Sequence, residues 1–280
     1  MRAFAAAIAL SALLAGSACS LSADEVRSTP AAMAALPSAD PQVRRLTAER
    51  PTHILFVGNS YLYYNDSLHN HVERMAVAAG LFHESEPEYK SATIGGAALF
   101  DHNIDHLLEP GNLRVDRPFD VVIMQGGSAA PLSPDRRMRF AETAETYAAR
   151  VRAMGGEPVL YMTHAYVFPH PRAREDMIED IASLYIETGN RIGALVIPVG
   201  LAFDEAYRRR PDISLHASFD GTHPSMLGTY LAACTVLASI YGANPIGNSY
   251  DYFGEVPAED ALFLQQVAQD TVLKFYRREG

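Results

Sequence analysis

The chain has 280 residues, of which 48% are hydrophobic and 20% charged, and its formal net charge is -10. This length and composition predict a globular protein with a core of substantial size. The acidic balance argues against a nucleic-acid partner, because a phosphate backbone is bound by a basic surface.

The first residues form a separate unit. Arg2 precedes an apolar run over residues 3–14, and small residues follow up to Cys19. This order predicts a secretory signal peptide over residues 1–19, too short to be a transmembrane segment. A tether rich in Ala, Pro and Ser follows over residues 20–50, and a single domain occupies residues 51–280. We expect export to the periplasm or the extracellular space. A lipid anchor at Cys19 is the alternative, although Gly16 stands where lipoprotein signals carry Leu.

The domain alternates short apolar runs with amphipathic stretches. The predicted strands are His53–Val57, Tyr89–Ile94, Asp120–Met124, Pro158–Met162 and Ala194–Pro198. The predicted helices are Ser67–Ala79, Leu99–Leu108, Asp135–Met154, Arg172–Arg191, Leu201–Arg209, Met226–Tyr241 and Ala258–Arg277. Alternation of this kind predicts an α/β fold, a mostly parallel sheet with helices on both faces.

Chemistry in such a fold is expected just beyond the carboxyl ends of the strands. The residues at those positions are Gly58-Asn59-Ser60, Gly95-Gly96, Gln125-Gly-Gly-Ser128 and Thr163-His164. None of them forms a glycine-rich phosphate loop, which disfavours a nucleotide cofactor. Gly58 and Asn59 by themselves also suit an ordinary turn.

Ser60 needs an adjacent base to act as a nucleophile, and His223 is the best candidate among ten histidines. In the segment Phe219-Asp-Gly-Thr-His-Pro-Ser225, Asp220 and His223 are three residues apart on a turn. This spacing lets the carboxylate reach Nδ1 of the imidazole while Nε2 faces outward. The same segment also suits a helix N-terminus, which leaves His223 unexplained.

Gly58-Asn59-Ser60 and Asp220-x-x-His223 resemble the first and last sequence blocks of the SGNH (GDSL-type) hydrolases. With "LFVGNS", "VVIMQGGS" and "DGTHPSMLGTYLAAC", the chain is similar to an exported branch of that superfamily. The resemblance implies a flavodoxin-like, three-layer α/β/α fold with a five-stranded sheet. It also implies a catalytic triad of Ser60, His223 and Asp220.

The resemblance further implies an oxyanion hole. Its donors would be the backbone N–H of Ser60, that of Gly95 or Gly96, and a side chain after the third predicted strand. The family has Asn in that third position, where this chain reads Gly126-Gly-Ser-Ala129. Some carbohydrate acetylesterases of the superfamily carry a similar Gln-Gly-x-Ser block. We therefore assign Gln125 as the third donor, with a hydrogen bond to backbone as its alternative role.

Substrate binding is assigned to Asn59, Tyr61, Ser128 and His164, which stand at or near the same strand ends. His69 and His71 are two apart on a predicted helix, so they point in different directions and are interpreted as surface residues. We predict no metal site and no cofactor.

These patterns predict a secreted serine esterase that acts on a small-molecule or carbohydrate ester, for instance an acetyl ester. Two alternatives stay open from sequence. One is an acyltransferase that uses the same triad. The other is a non-catalytic carbohydrate- or envelope-binding protein on a hydrolase scaffold, because the third oxyanion donor departs from the family pattern.

Overall fold

A computed structural model describes residues 40–278, and at its centre lies a parallel sheet of five strands. The strand order across the sheet is β2-β1-β3-β4-β5, and every neighbouring pair is parallel. The strands are β1 (His53–Gly58), β2 (Glu88–Thr93), β3 (Val121–Gln125), β4 (Glu157–Tyr161) and β5 (Leu195–Ile197). The predicted fold class is confirmed, with strand limits shifted by a few residues.

The central strands are apolar because helices cover both faces of the sheet. All five residues of β3 are buried, as are the last five of β1. In the register, Gly58 lies opposite Thr93, and Val57 lies opposite Met124. The carboxyl ends of β1, β2 and β3 therefore meet at one edge of the sheet.

Between residues 40 and 278, eight α-helices surround the sheet in two groups. In one group α4 contacts α3 and α5, in the second α7 contacts α2 and α8, and α6 contacts members of both. Right-handed crossovers put these groups on opposite faces. The helices are α1 (Ser60–Tyr63), α2 (Leu68–Ala78), α3 (Ile104–Leu108), α4 (Pro134–Ala153), α5 (Met177–Ile192), α6 (Val199–Arg209), α7 (Met226–Tyr241) and α8 (Ala258–Tyr276). Short 3₁₀ turns lie at Leu99–Asp101, Asn112–Arg114 and Ala130–Leu132.

Two predicted helices were wrong in extent. The stretch Leu99–Leu108 is not one helix, because Asn103 starts a new one: its Oδ1 accepts the His106 N–H at 3.2 Å. The helix predicted at Arg172–Arg191 begins only at Met177, after a series of turns. The short helix α1 was not predicted at all.

Residues 40–50 were assigned to the tether, but they lie against the domain. The N–H groups of Thr47 and Ala48 donate to the two carboxylate oxygens of Glu157, at 3.0 and 2.6 Å. The Gln42 N–H donates to Asn190 Oδ1 at 2.8 Å. The ordered domain therefore begins before residue 51.

The proposed signal peptide and Cys19 lie outside the described residues. Between residues 40 and 278, no helix combines the length and the apolar character that crossing a membrane would need.

Candidate active site

Ser60 lies at the first position of helix α1, where the chain turns sharply at the end of β1. Asn59 is the N-cap, and its Oδ1 accepts the Tyr61 N–H at 3.1 Å. A side chain at position 58 would collide with Gln125 Oε1, so only glycine fits there. The turn thus presents the Ser60 hydroxyl at the carboxyl edge of the sheet.

Asp220 and His223 lie on the turn that precedes helix α7. Asp220 Oδ1 accepts the N–H groups of Thr222 and His223 at 2.9 and 3.1 Å. Gly221 between them has φ +64°, and a Cβ there would collide with the Val167 carbonyl. These contacts fix the carboxylate and the imidazole on the same side of the turn.

The three side chains form one hydrogen-bonded chain. His223 Nε2 lies 2.8 Å from Ser60 Oγ, and His223 Nδ1 lies 2.5 Å from Asp220 Oδ2. Because a carboxylate only accepts, Nδ1 carries the proton and Nε2 is free to accept the serine proton. Ser60 is buried, whereas His223 and Asp220 are partly exposed.

Asp220 is held in its charged form. Partial burial acts to raise its pKa, but the hydrogen bonds from the His223 ring and from the Thr222 and His223 N–H groups outweigh it. The pKa of Asp220 therefore lies below its ordinary value. A carboxylate at this position stabilises an imidazolium on His223.

Aromatic rings surround the His223 imidazole. Tyr64 stacks on it with centroids 4.2 Å apart and an interplanar angle of 10°. The Phe219 ring lies over the same imidazole with ring centroids 6.5 Å apart, and Phe219 is 70% exposed. The contact between Tyr64 and His223 was not predicted, because the sequence gives no signal that links residues 159 positions apart.

His164 does not line a pocket, contrary to the sequence assignment. Its ring is 1% exposed and stacks between Tyr61 at 4.2 Å and Phe203 at 4.4 Å. Its Nε2 donates to the Thr222 carbonyl at 2.7 Å. Tyr61 is also buried, and its hydroxyl lies 2.5 Å from Thr222 Oγ1. Both side chains brace the turn that carries His223 and are not placed to touch a substrate.

The assignment of Gln125 as an oxyanion donor also needs correction. Its Nε2 donates to Asn59 Oδ1 at 3.0 Å and to the Gly126 carbonyl at 2.7 Å. Its Oε1 accepts the Asn59 N–H at 3.0 Å. Gln125 therefore has no donor left for a ligand. Asn59 is buried too: its Nδ2 donates to the Ala97 carbonyl at 2.8 Å and its Oδ1 accepts from Tyr61 and Gln125, so its amide mainly holds the turn that carries Ser60.

Other donors remain near Ser60. The backbone N–H groups of Ser60, Gly95 and Gly96 donate no hydrogen bond to any residue between 40 and 278. Gly95 and Gly96 form an exposed turn in which the Ala97 N–H donates to the Ile94 carbonyl at 3.1 Å. In the loop after β3, Ser128 Oγ accepts the Tyr166 hydroxyl at 2.9 Å and lies near the Tyr61 hydroxyl, and its own proton can be donated to Tyr61 or to a ligand.

The surface-histidine interpretation is wrong for His71. This residue is fully buried, its Nε2 lies 2.6 Å from the Asn65 carbonyl, and its Nδ1 lies 3.0 Å from the Tyr250 hydroxyl. Within residues 40–278, no group of three or more His, Cys, Asp or Glu side chains is arranged to hold a metal ion.

Comparison with solved structures defines the class of fold. A DUF4886 family protein from Bacteroides uniformis superposes with a TM-score of 0.62 at 19% identity, over 81% of this chain and 95% of its own. A putative SGNH hydrolase from Slackia heliotrinireducens superposes with a TM-score of 0.53 at 23% identity, over 68% of this chain and 98% of its own. The acetyl xylan esterase AlAXEase superposes with a TM-score of 0.52 at 14% identity, over 67% of this chain and 98% of its own.

The chain therefore has the three-layer α/β/α fold of the SGNH hydrolases, as the sequence motifs predicted. No protein-family model matches the sequence, and no curated protein matches it.

Proposed function

We propose that this protein is a serine hydrolase that cleaves a carboxylic ester. The observation that carries the proposal is a continuous chain of two hydrogen bonds. Ser60 Oγ lies 2.8 Å from His223 Nε2, and His223 Nδ1 lies 2.5 Å from Asp220 Oδ2. A serine hydroxyl is a weak nucleophile unless a base of this geometry accepts its proton. Neither a turn nor a helix cap requires that arrangement.

In the proposed reaction, Ser60 Oγ attacks the ester carbonyl while His223 Nε2 takes the hydroxyl proton. The negative oxygen that develops is stabilised by N–H groups already aimed at it. Candidates are the N–H groups of Ser60 and of Gly95 or Gly96, with the Ser128 hydroxyl in the role predicted for Gln125. His223 then returns the proton to the leaving alcohol, and an acyl group remains on Ser60.

The second half of the reaction repeats the first with water as nucleophile. His223 takes a proton from the water, which attacks the acyl-enzyme and releases the acid. Asp220 stays charged throughout, because its lowered pKa keeps it ionised, and it stabilises the imidazolium in both steps. The proposed reaction requires no metal and no organic cofactor.

Acetyl esters of carbohydrates are the proposed substrate class. The similarity in fold to an acetyl xylan esterase supports it, as do the exposed Phe219 and Tyr63, since aromatic faces stack on sugar rings. Export to the periplasm or beyond, which the N-terminal sequence predicts, would bring the protein to such polymers.

The test is the hydrolysis of p-nitrophenyl acetate by the wild type and by Ser60→Ala. We expect kcat/KM to fall by at least about a thousandfold in Ser60→Ala. Ser183→Ala is the matched control, because Ser183 is partly exposed on α5 and, within residues 40–278, its Oγ bonds only Arg137 and Glu187. Equal hydrolysis by Ser60→Ala and the wild type would contradict the proposal.

A non-catalytic binding protein is the second candidate, favoured by one observation: Gln125 offers no free donor for an oxyanion. A binding protein would show no ester turnover above the uncatalysed rate. An acyltransferase would show turnover that rises when an acceptor alcohol is added, since both reactions share the acyl-enzyme.

A further inference from the structure

A cavity of about 400 Å³ lies next to Gly96 and Ser128, two of the proposed oxyanion donors. It is bounded by the loop after β2, the loop after β3 and the first turns of α4, with Gly96 and Ser128 on its wall. Asn59, the neighbour of Ser60, donates to Ala97 at 2.8 Å, which ties this loop to the nucleophile's turn. A substrate whose carbonyl oxygen is bound by Gly96 or Ser128 would therefore have this cavity beside it.

Two arginines of α4 line the cavity, Arg136 and Arg139. They are three residues apart, so they project from the same face of the helix. The guanidinium carbon of Arg139 lies over the Phe100 ring, 3.5 Å from its centroid. Stacking of this kind orients the planar guanidinium and leaves its N–H edge free for a ligand.

Neither arginine has a carboxylate partner within 4.0 Å among residues 40–278. Other arginines of the same helix do have one: Arg137 lies 3.8 Å from Glu187, and Arg150 lies 3.4 Å from Asp105. The chain as a whole carries a formal net charge of -10, so acidic side chains are plentiful. Arg136 and Arg139 are exposed, and no carboxylate among the described residues neutralises them at the cavity.

One acidic side chain, Asp101, also lines the cavity, and its Oδ2 accepts the Ala98 N–H at 2.9 Å. Two arginines and one aspartate leave the lining with one net positive charge. The rest of the wall is mainly apolar, with Leu99 and Phe140 buried in it.

We propose that this cavity binds a carboxylate that the ester substrate carries a few bonds away from its scissile carbonyl. The proposal rests on the proposed ester hydrolysis at Ser60. An apolar spacer would contact the wall, and the guanidinium groups would bind the carboxylate, for which their fork geometry is suited. In an acetyl ester, the carboxylate belongs to a uronic acid on the alcohol side. A dicarboxylic acyl group in place of acetyl is the other source, and the two substrate pairs distinguish them.

The first experiment compares kcat/KM for matched esters. On the acyl side, the pair is p-nitrophenyl hydrogen adipate and p-nitrophenyl hexanoate. On the alcohol side, it is acetylated methyl glucuronoside and acetylated methyl glucoside. We expect the charged member of one pair to be preferred. That preference should fall at least tenfold in Arg136→Gln/Arg139→Gln and persist in Arg150→Gln, which changes an exposed arginine of the same helix outside the cavity.

A binding measurement separates this proposal from the proposed function. Ser60→Ala protein is titrated calorimetrically with monomethyl adipate and with methyl glucuronoside, each against its uncharged counterpart. We expect tighter binding of one charged ligand, and weakening of at least tenfold when the two arginines are also replaced. Binding with that pattern but no ester turnover would contradict the hydrolase and support the anion site. Ester turnover without any preference for charge, or a preference that survives the double replacement, would overturn the anion site alone.

Discussion

His164 donates its Nε2–H to the carbonyl of Thr222, the residue immediately before the proposed base His223, over 2.7 Å. Burial, together with repulsion from His216, holds the pKa of His164 well below its ordinary value, so the ring is neutral. A neutral imidazole donates from one nitrogen only, and the carbonyl fixes Nε2 as that nitrogen. The buried ring thus acts on the site through the backbone of the turn.

Replacement of His164 by Phe tests this role. The ring stack on Tyr61 and Phe203 would be kept, but the Thr222 carbonyl would lose its donor. We expect kcat/KM for p-nitrophenyl acetate to fall about tenfold, because an unpaired buried group costs roughly 1–3 kcal/mol and the turn relaxes. His83→Gln, a change at an exposed histidine, is the control. Equal kcat/KM in His164→Phe and the wild type would show that this bond does not position His223.

We expect Gln125 to contribute mainly to the stability of the fold and not to catalysis. In Gln125→Leu, the buried Asn59 N–H and Oδ1 each lose a partner at 3.0 Å. We expect the free energy of unfolding in urea to fall by about 1–3 kcal/mol. If Gln125→Leu were as stable as the wild type but had lost most of its kcat, the oxyanion role assigned from sequence would be restored.

Ser128, in contrast, is expected to contribute to catalysis, because its hydroxyl is proposed to donate a hydrogen bond to the oxyanion. We expect Ser128→Ala to lower kcat by roughly 10–100-fold with little change in KM or in unfolding free energy. Tyr166→Phe removes the hydroxyl that donates to Ser128 Oγ at 2.9 Å and should give a smaller loss. A kcat of Ser128→Ala within twofold of the wild type would remove Ser128 from the oxyanion hole.

Stability should fall in mild acid because several histidines are buried in the neutral form. Burial lowers the pKa of His216 from 6.5 to about 4. As pH drops, the His216 imidazole is therefore protonated in the unfolded chain before it is protonated in the folded one. The free energy of unfolding is highest above pH 6.5 and declines toward pH 4. This residue alone contributes a loss of about 3 kcal/mol by pH 4.

Urea unfolding of His216→Gln between pH 7 and pH 4 measures that contribution. The slope of unfolding free energy against pH should be shallower than in the wild type by up to about 1.4 kcal/mol per pH unit, which corresponds to one proton. Parallel slopes for the two proteins would mean that His216 is not buried as a neutral group.

The sequence predicted the sheet and the positions of Ser60, Asp220 and His223 because those signals are local. A buried strand followed by Gly-Asn, and an Asp three residues before a His on a turn, depend on neighbouring residues alone. Met226–Tyr241 was predicted to the residue, since its αL cap at Gly242 and apolar pattern are also local.

The errors concern side chains whose role depends on residues distant along the chain. Gln125 was assigned as a free donor, but Asn59, 66 positions away, occupies its amide. His164 was placed in a pocket, but Tyr61 and Phe203 close over its ring. The order of residues along the chain does not reveal which polar group already has a hydrogen-bond partner, so the roles of Gln125 and His164 could not be predicted from the sequence.

The most direct test of the account is covalent labelling of the wild type with a fluorophosphonate, followed by mass spectrometry of the digested protein. The account predicts a single adduct on Ser60, because only a serine activated by a base reacts with this probe. Labelling should be lost in Ser60→Ala and strongly slowed when His223 is replaced by Ala. The absence of any adduct on the folded wild type, or an adduct on a different serine, would contradict it.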